Sequence, residues 1–172
     1  MDARNVVTLT TSGGAHEGWT SVVVTRGLEG MAGQFDLELT EKWEARQRRD
    51  IFTGDRFTLS IGGDLVMTGW LDMVKPLFDA GNHVLRASGR SLTSDLVDCS
   101  IVSRPMQWRS RKVEEIAATL AEPFGVTVLS QGAETDGPHG LVAADTGKPI
   151  PEVTAQEGDK AFDLIEKIAK MR

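Results

Sequence analysis

The sequence predicts an α+β protein, with an N-terminal antiparallel β domain at residues 1–103 and a small α/β domain at residues 104–172. Six strand-like segments occur in the first 90 residues, and most of them are joined by short turns. After Gly89 the apolar residues change from strand spacing to helical spacing. Because an all-β chain limits its exposed edges by closing or stacking its sheets, we expect the first domain to be a small barrel or a sandwich.

The strands of the first domain are predicted from short runs rich in β-branched or alternating apolar residues. The alternation at residues 34–40 predicts one buried and one solvated face, and Gly62-Gly63-Asp64 supplies the tight turn of the clearest hairpin. The highly charged residues 41–50 fit a loop better than an exposed helix. The predicted strands are residues 6–10, 19–25, 34–40, 56–61, 65–74 and 83–88.

Helical spacing predominates in the second half of the chain. A short helix is expected at residues 91–97, a domain boundary at residues 100–107, and a longer helix from Ser110 to Pro123. Residues 125–129 are then predicted to form a buried strand, and residues 130–151 a long loop. The residues predicted on the inner face of the longer helix are Val113, Ile116, Ala117 and Leu120.

The last predicted helix, residues 158–172, is amphipathic, with Phe162, Ile165, Ile168 and Ala169 on one face. No later segment of the sequence packs on this apolar face. We therefore expect the second domain to be incomplete at its C-terminus: either another subunit covers the helix, or the sequence is part of a longer protein.

Composition excludes several classes of function. With one cysteine, Cys99, and three scattered histidines, the chain offers neither a disulfide framework nor the ligand spacing of a zinc site. A formal net charge of −6 argues against a specific nucleic-acid binder. No apolar run is long enough to span a bilayer, and the polar start of the chain lacks a secretory signal, so folding in a cytoplasm without membrane insertion is expected.

No catalytic, cofactor-binding or metal-binding set is predicted. The sequence lacks the Gly-x-Ser-x-Gly elbow and the His-Glu-x-x-His helix, and the glycines at 27, 30 and 33 match neither a dinucleotide fingerprint nor a P-loop. Asp95 and Asp98 lie three residues apart, a spacing compatible with acid–base chemistry or cation binding, but they are interpreted as a solvated face.

The remaining polar and aromatic candidates are predicted to be structural or exposed. His16, His83 and His139 are expected to be exposed, and Arg46, Arg48 and Arg49 to form a salt-bridged surface with nearby carboxylates. Tryptophan is enriched at protein interfaces. Trp19 and Trp70 are predicted to be core residues, and Trp43 is the better candidate for an exposed contact.

The pattern of residues resembles the baseplate hub proteins of contractile phage tails, in particular the Mu-like tail proteins. The resemblance extends over most of the chain and depends on the whole set of residues, since no single segment is a chemical motif. The charged residues 41–50 do not match the family pattern. The matching segments are Val7-Thr8-Leu9, Gly18 to Val22 with Val24-Thr25-Arg26, Ala32-Gly33 with Phe35 and Leu37, Phe57-Thr58-Leu59 with Ile61-Gly62-Gly63, Thr68-Gly69 with Asp72, Gly89-Arg90 with Thr93, Asp95-Leu96 with Asp98-Cys99, Gln107-Trp108, and Glu115-Ile116-Ala117 with Gly125 to Val128.

The resemblance implies a non-catalytic structural protein of the virion tail baseplate, assembled in the cytoplasm of the host bacterium. It implies a homotrimer whose subunits carry barrels similar to the tail-tube subunit, so that the ring adapts the sixfold tube to the trimeric spike. The implied partners are a second copy of the chain, the tail-tube protein, the central spike protein and other baseplate proteins. Family members are about twice as long and contain a second barrel, and the same fold serves other contractile injection devices.

Two other functions remain open from the sequence. The helix from Ser110 with the strand at 125–129 is also typical of peptidoglycan-binding modules, which predicts a monomer that binds cell-wall glycan. An enzyme would require a hydrolytic site assembled from carboxylates such as Asp95 and Asp98.

Overall fold

The computed structural model describes residues 5–27, 30–40, 50–79, 82–102, 104–129 and 147–171. By its internal contacts the chain divides into two compact units, residues 1–94 and 95–172. The division lies before the boundary that the sequence predicts at residue 103.

Unit 1 is a single antiparallel sheet of seven strands in the order β2-β1-β5-β6-β7-β4-β3. Each of the six predicted strands is present, and those at 34–40 and 56–61 have the predicted bounds. The strands are β1 (Val7–Thr11), β2 (Gly14–His16), β3 (Ser21–Thr25), β4 (Gln34–Thr40), β5 (Arg56–Ile61), β6 (Asp64–Asp79) and β7 (Asn82–Ser91).

The sheet differs from the prediction in closure and in strand length. Among the described residues, strand pairing ends at β2 and at β3, so the sheet is open. Strand β2, which forms a hairpin with β1, is not among the predicted strands. Strand β6 continues past residue 74 to Asp79, because β7 pairs with it along this whole length.

One face of the sheet carries a compact apolar core. Phe35 and Phe57 meet at its centre with their rings edge to face and their centroids 4.7 Å apart. Gly89 lies directly beneath both rings, where a Cβ atom would be 2.9 Å from Phe35 and 3.1 Å from Phe57. The buried core residues are Leu9, Phe35, Leu37, Leu39, Ile51, Phe57, Leu59, Met67, Leu71 and Leu85.

Unit 2 combines two strands with two helices. Strands β8 (Gln107–Arg111) and β9 (Ile150–Thr154) pair antiparallel, and helices α2 (Val113–Ala121) and α3 (Ala161–Lys170) pack against each other. A short helix, α1 (Ser94–Asp98), precedes them. Inside the unit, α2 contributes Ile116 and Leu120 to the buried residues and α3 contributes Leu164 and Ile168.

The start of α2 corrects the predicted helix. The helix begins at Val113, and Ser110, the predicted first residue, lies in β8 with a left-handed φ of 50°. The capping carboxylate is Glu115, because its Oε2 accepts the backbone N–H of Lys112 at 3.3 Å.

Residues 125–129 do not form the predicted buried strand. They follow a short 3-10 turn, Gly125 adopts φ 68°, and Leu129 is 66% exposed. A β-branched sequence alone does not make a strand, which also requires a partner backbone. The helix–strand unit that favoured a cell-wall-binding module is therefore not formed as predicted.

Helix α3 buries a different face from the predicted one. Ala161, Leu164 and Ile168 are buried, while Phe162 and Ile165 are half-buried and Ala169 is exposed. Helix α2 packs on this helix and so covers part of its apolar surface, while the expected incompleteness of the second domain stays a prediction.

Candidate interaction surface

The sheet of unit 1 has a second face, opposite the core, which we call the outward face. Side chains alternate between the two faces along a strand, and residues paired across neighbouring strands share a face. Phe35, Leu37 and Leu39 of β4 point into the core, so Asp36 and Glu38 point outward. The pairing of Glu38 with Arg86 and of Asp36 with Ser88 extends the outward face onto β7.

A charged cluster occupies the centre of this face. Arg86 Nε donates to both carboxylate oxygens of Asp36 at 2.9 and 3.0 Å, and its Nη2 donates to Asp36 Oδ2 at 2.6 Å. Glu38 lies 3.8 Å from the same guanidinium. The hydrogen bonds that Asp36 accepts, together with its negative charge, raise the pKa of Arg86, so this side chain is held as a cation.

A second ion pair arises from a β-bulge. The β6–β7 register shifts between Leu71 and Met73, and the extra residue, Asp72, accepts a hydrogen bond from Arg90 Nε at 2.8 Å. Asp72 and Arg90 line a shallow depression of about 230 Å³ between β3 and β6. The charged groups that line it are held in ion pairs, Asp72 with Arg90 and Asp36 with the neighbouring Arg86.

Apolar side chains on the same face are exposed to solvent. Trp70, Met73 and Leu77 follow one another along β6 and are 37%, 37% and 38% exposed, and Val23 of β3 is 55% exposed. Trp70 was predicted to be a core residue. The prediction is wrong because Trp70 pairs with Arg90 and Arg56 on the outward face.

Two backbone edges border this face. Strand β5 pairs with β6 only from Asp64 to Trp70, whereas β7 pairs with β6 to its end. Beyond Leu71 the sheet therefore consists of the four strands β6, β7, β4 and β3, which we call the four-stranded arm. Among the described residues, no strand pairs with the outer side of β3 or with the outer side of β6 at residues 72–79.

The predicted polar candidates do not come together. His16 is buried, with Nε2 3.3 Å from the Thr11 hydroxyl, because it faces Leu9 on the core side of the β1–β2 hairpin. Asp95 is half-buried in α1 and Asp98 is exposed. Within the described ranges, no group of three or more His, Cys, Asp or Glu side chains could hold a metal ion.

The remaining candidates are the tryptophans, a membrane span and the residues of the charged segment and long loop. Trp19 is half-buried against the core of unit 1, and Trp108 is buried on β8. No described helix is long and apolar enough to cross a membrane. Trp43, the arginines at 46, 48 and 49, and His139 lie outside the described residues, as does the side chain of His83.

The exposed apolar residues of β6 have the residue types of core positions, and one weak sequence signal sets their strand apart. Met73, Lys75 and Leu77 alternate as strand residues do, but Pro76 and the bulge at Asp72 interrupt the pattern. Proline within a strand indicates an edge, and that signal could have identified this part of β6 as an edge strand.

Comparison with known proteins matches both halves of the chain to consecutive domain families. The family described as Mu phage baseplate assembly protein GpP-like, N-terminal, matches residues 6–91. The family described as baseplate hub protein gp44-like, second domain, matches residues 93–172.

Individual proteins that are similar in sequence or structure are also baseplate or tail proteins. The baseplate hub protein gp44 of Escherichia phage Mu is 40% identical over 168 residues, which cover 98% of this chain and 42% of that protein. The crystal structure of the 43 kDa tail protein of prophage MuSo2 from Shewanella oneidensis is 32% identical, with a TM-score of 0.80 over 98% of this chain and 49% of the other. A tail protein from Neisseria meningitidis MC58 shares the fold at 22% identity and a TM-score of 0.74, over 96% of this chain and 44% of that one. The chain thus spans less than half the length of each of these relatives.

Proposed function

This chain belongs to the Mu-like family of phage baseplate hub proteins, and we propose that it works as a structural subunit of the hub without catalysing a reaction. One observation carries the proposal: two consecutive hub domain families match the chain in order, at residues 6–91 and 93–172. The family places the protein in the tail baseplate of the virion.

We further propose that three copies form a ring that adapts the sixfold tail tube to the trimeric spike. In this arrangement the sheet of unit 1 contributes a barrel of the tail-tube type. The direct partners are other copies of the chain, the tail-tube protein, the central spike protein and further baseplate proteins. Closed rings of identical subunits use two different patches of each subunit, one donating and one receiving.

The surface of unit 1 supports a role in assembly. Exposed apolar side chains on the outward face, above all Val23 at 55% exposure, lose contact with water when a partner covers them. The pairs Arg86–Asp36 and Arg90–Asp72 keep the same face polar. A mixture of apolar contacts and a polar surround is typical of protein–protein interfaces.

The arrangement of the polar residues supports a non-catalytic role. Two carboxylates of the outward face form hydrogen-bonded ion pairs with arginines, Asp36 with Arg86 and Asp72 with Arg90. A general acid or base must reach a substrate proton. These carboxylates instead bind arginine side chains of the same sheet.

The mass of the purified chain in solution tests the trimer. We expect light scattering coupled to size exclusion to give three times the monomer mass of 18.7 kDa as the concentration rises. A mass that stays at 18.7 kDa over the whole concentration range would contradict self-association of this chain.

A further inference from the structure

We propose that the outward face of unit 1 binds an acidic segment of another tail protein through a row of residues close to one end of the sheet. The row, which we call the Trp70 row, crosses five strands, because each of its residues pairs with the next. The inference rests on the proposed hub function and deepens it, since it gives the chemistry of one partner. The row consists of Thr25, Gln34, Arg90, Trp70 and Arg56.

Trp70 is the apolar centre of the row. Its side chain is 37% exposed, and both residues that pair with it, Arg56 and Arg90, are arginines. Tryptophan and arginine are enriched among the residues that contribute most to binding at protein interfaces. A partner that covers Trp70 also removes its exposed apolar surface from water, which favours binding.

Arg56 is the charge of the row that the fold leaves unmatched. Arg90 is paired with Asp72 at 2.8 Å, whereas the exposed Arg56 forms no hydrogen bond or ion pair with any described residue. Asp55 precedes it in the chain, but its Oδ2 accepts a hydrogen bond from the Ser12 hydroxyl at 3.1 Å. A carboxylate from a partner would give Arg56 a charge-assisted hydrogen bond that the chain itself does not supply.

The other half of the row borders the shallow depression on this face. Thr25, Gln34 and Arg90 belong to the row and also line the depression of about 230 Å³. The charged groups of the depression are already held in ion pairs, so it suits an uncharged side chain. A segment that follows the row therefore meets a free charge at Arg56, an apolar surface at Trp70 and a neutral hollow beside Arg90.

An acidic protein segment fits this face better than a nucleic acid. A phosphate backbone is bound by several cations that neutralise successive phosphates. Two cations of the face, Arg56 and Lys75, have no carboxylate partner among the described residues, whereas Asp36, Glu38 and Asp72 place three carboxylates on the same face. These carboxylates repel a polyanion, but a protein segment can bring a single carboxylate to Arg56 and leave the rest of the face uncharged.

Photo-cross-linking in assembled tails identifies the segment. Thr58 is exposed on the outward face two residues after Arg56, so Thr58→p-benzoylphenylalanine reports on the site and leaves Arg56 and Trp70 intact. The control carries the same photoreactive residue in place of Leu65, which is 66% exposed and pairs near the opposite end of β5. Tails of the phage that carries the chain are irradiated, and the cross-linked peptides are sequenced by mass spectrometry. We expect position 58, and not position 65, to join a segment of another tail protein with Asp or Glu beside the linked residue.

Charge reversal then tests the contact itself. Arg56→Glu is expected to lower the cross-link yield from position 58 at least about tenfold, because a carboxylate of the partner would face a like charge. Exchanging that carboxylate residue of the partner for arginine is expected to restore the yield. Lys148→Glu makes the same change of charge at an exposed residue of unit 2 without a described partner, and is expected to leave the yield unchanged. Since Arg56→Glu removes no contact with a described residue, its thermal unfolding is expected to match that of the parent chain.

The other outcomes overturn the inference. A cross-link from position 58 to DNA, to a second copy of this chain or to a segment without carboxylates would contradict an acidic partner. An unchanged yield in Arg56→Glu would remove Arg56 from the contact. Tails that contain the chain but give no cross-link from position 58 overturn the inference, while the hub assignment stands. Tails that lack the chain overturn the hub assignment and the inference together.

Discussion

Replacing Phe57 with alanine is expected to lower the free energy of unfolding of unit 1 by about 3–5 kcal/mol. Phe57 is 1% exposed, and its ring meets that of Phe35 edge to face at a centroid distance of 4.7 Å. The substitution removes the buried ring and leaves a cavity that the surrounding strands cannot fill, since both neighbours of β5 hold it in register. Urea unfolding, followed by circular dichroism and tryptophan fluorescence, measures the loss.

A matched control is Phe52→Ala. Phe52 is 53% exposed and lies just before β5, so the same change of residue type is expected to shift the free energy of unfolding by less than about 0.5 kcal/mol. Equal losses in the two variants would mean that Phe57 is not at the centre of the core.

Gly89→Ala is expected to destabilise unit 1 by about 1–3 kcal/mol by overpacking. A Cβ atom at this position would lie 2.6 Å from the carbonyl oxygen of Trp70, as well as close to the rings of Phe35 and Phe57. The backbone of β6 and the two packed phenyl rings cannot move easily. The added methyl group must therefore either separate β6 from β7 or displace the rings. Thermal unfolding of the variant and of the parent chain measures the difference.

Gly30→Ala is the control for this prediction. A Cβ atom on Gly30 has no heavy atom within 4 Å, and the loss of backbone freedom in the unfolded chain favours the variant slightly. Equal stability of Gly89→Ala and Gly30→Ala would mean that β7 does not approach β6 closely at Gly89.

The strands of unit 1 could be predicted from the sequence wherever one face of the strand is buried and the other is exposed to solvent. Residues 34–40 alternate without interruption, and the structure buries Phe35, Leu37 and Leu39 as this pattern requires. Residues 56–61 follow the same rule with Phe57 and Leu59. Here the local sequence and the sheet agree.

Other strands depend on partners far away in the sequence. Strand β8 pairs with β9, about 40 residues later, and neither was predicted, because Gln107–Arg111 is mostly polar and Ile150–Thr154 contains a proline. The opposite error occurred at residues 125–129, whose composition suits a strand but which have no pairing strand among the described residues. Pairing across such distances is not encoded in a local pattern.

The interaction surface was the least predictable feature. Trp70 has the residue type of a core position, and only the register of β6 against β5 and β7 shows that it faces outward. The open side of β6 follows from where β5 stops, and the sequence indicates it only through Pro76. The resemblance to hub proteins, in contrast, was correct from the sequence, because it depends on many residues in order and not on one site.

The most direct test of the hub assignment is cryo-electron microscopy of purified tails of the phage that carries this chain, with the protein marked by a bound antibody fragment. The account predicts three labels around the tail axis, at the baseplate end of the tube and next to the spike. Tails that lack the label, or that carry it on fibres or along the tube, would contradict the account.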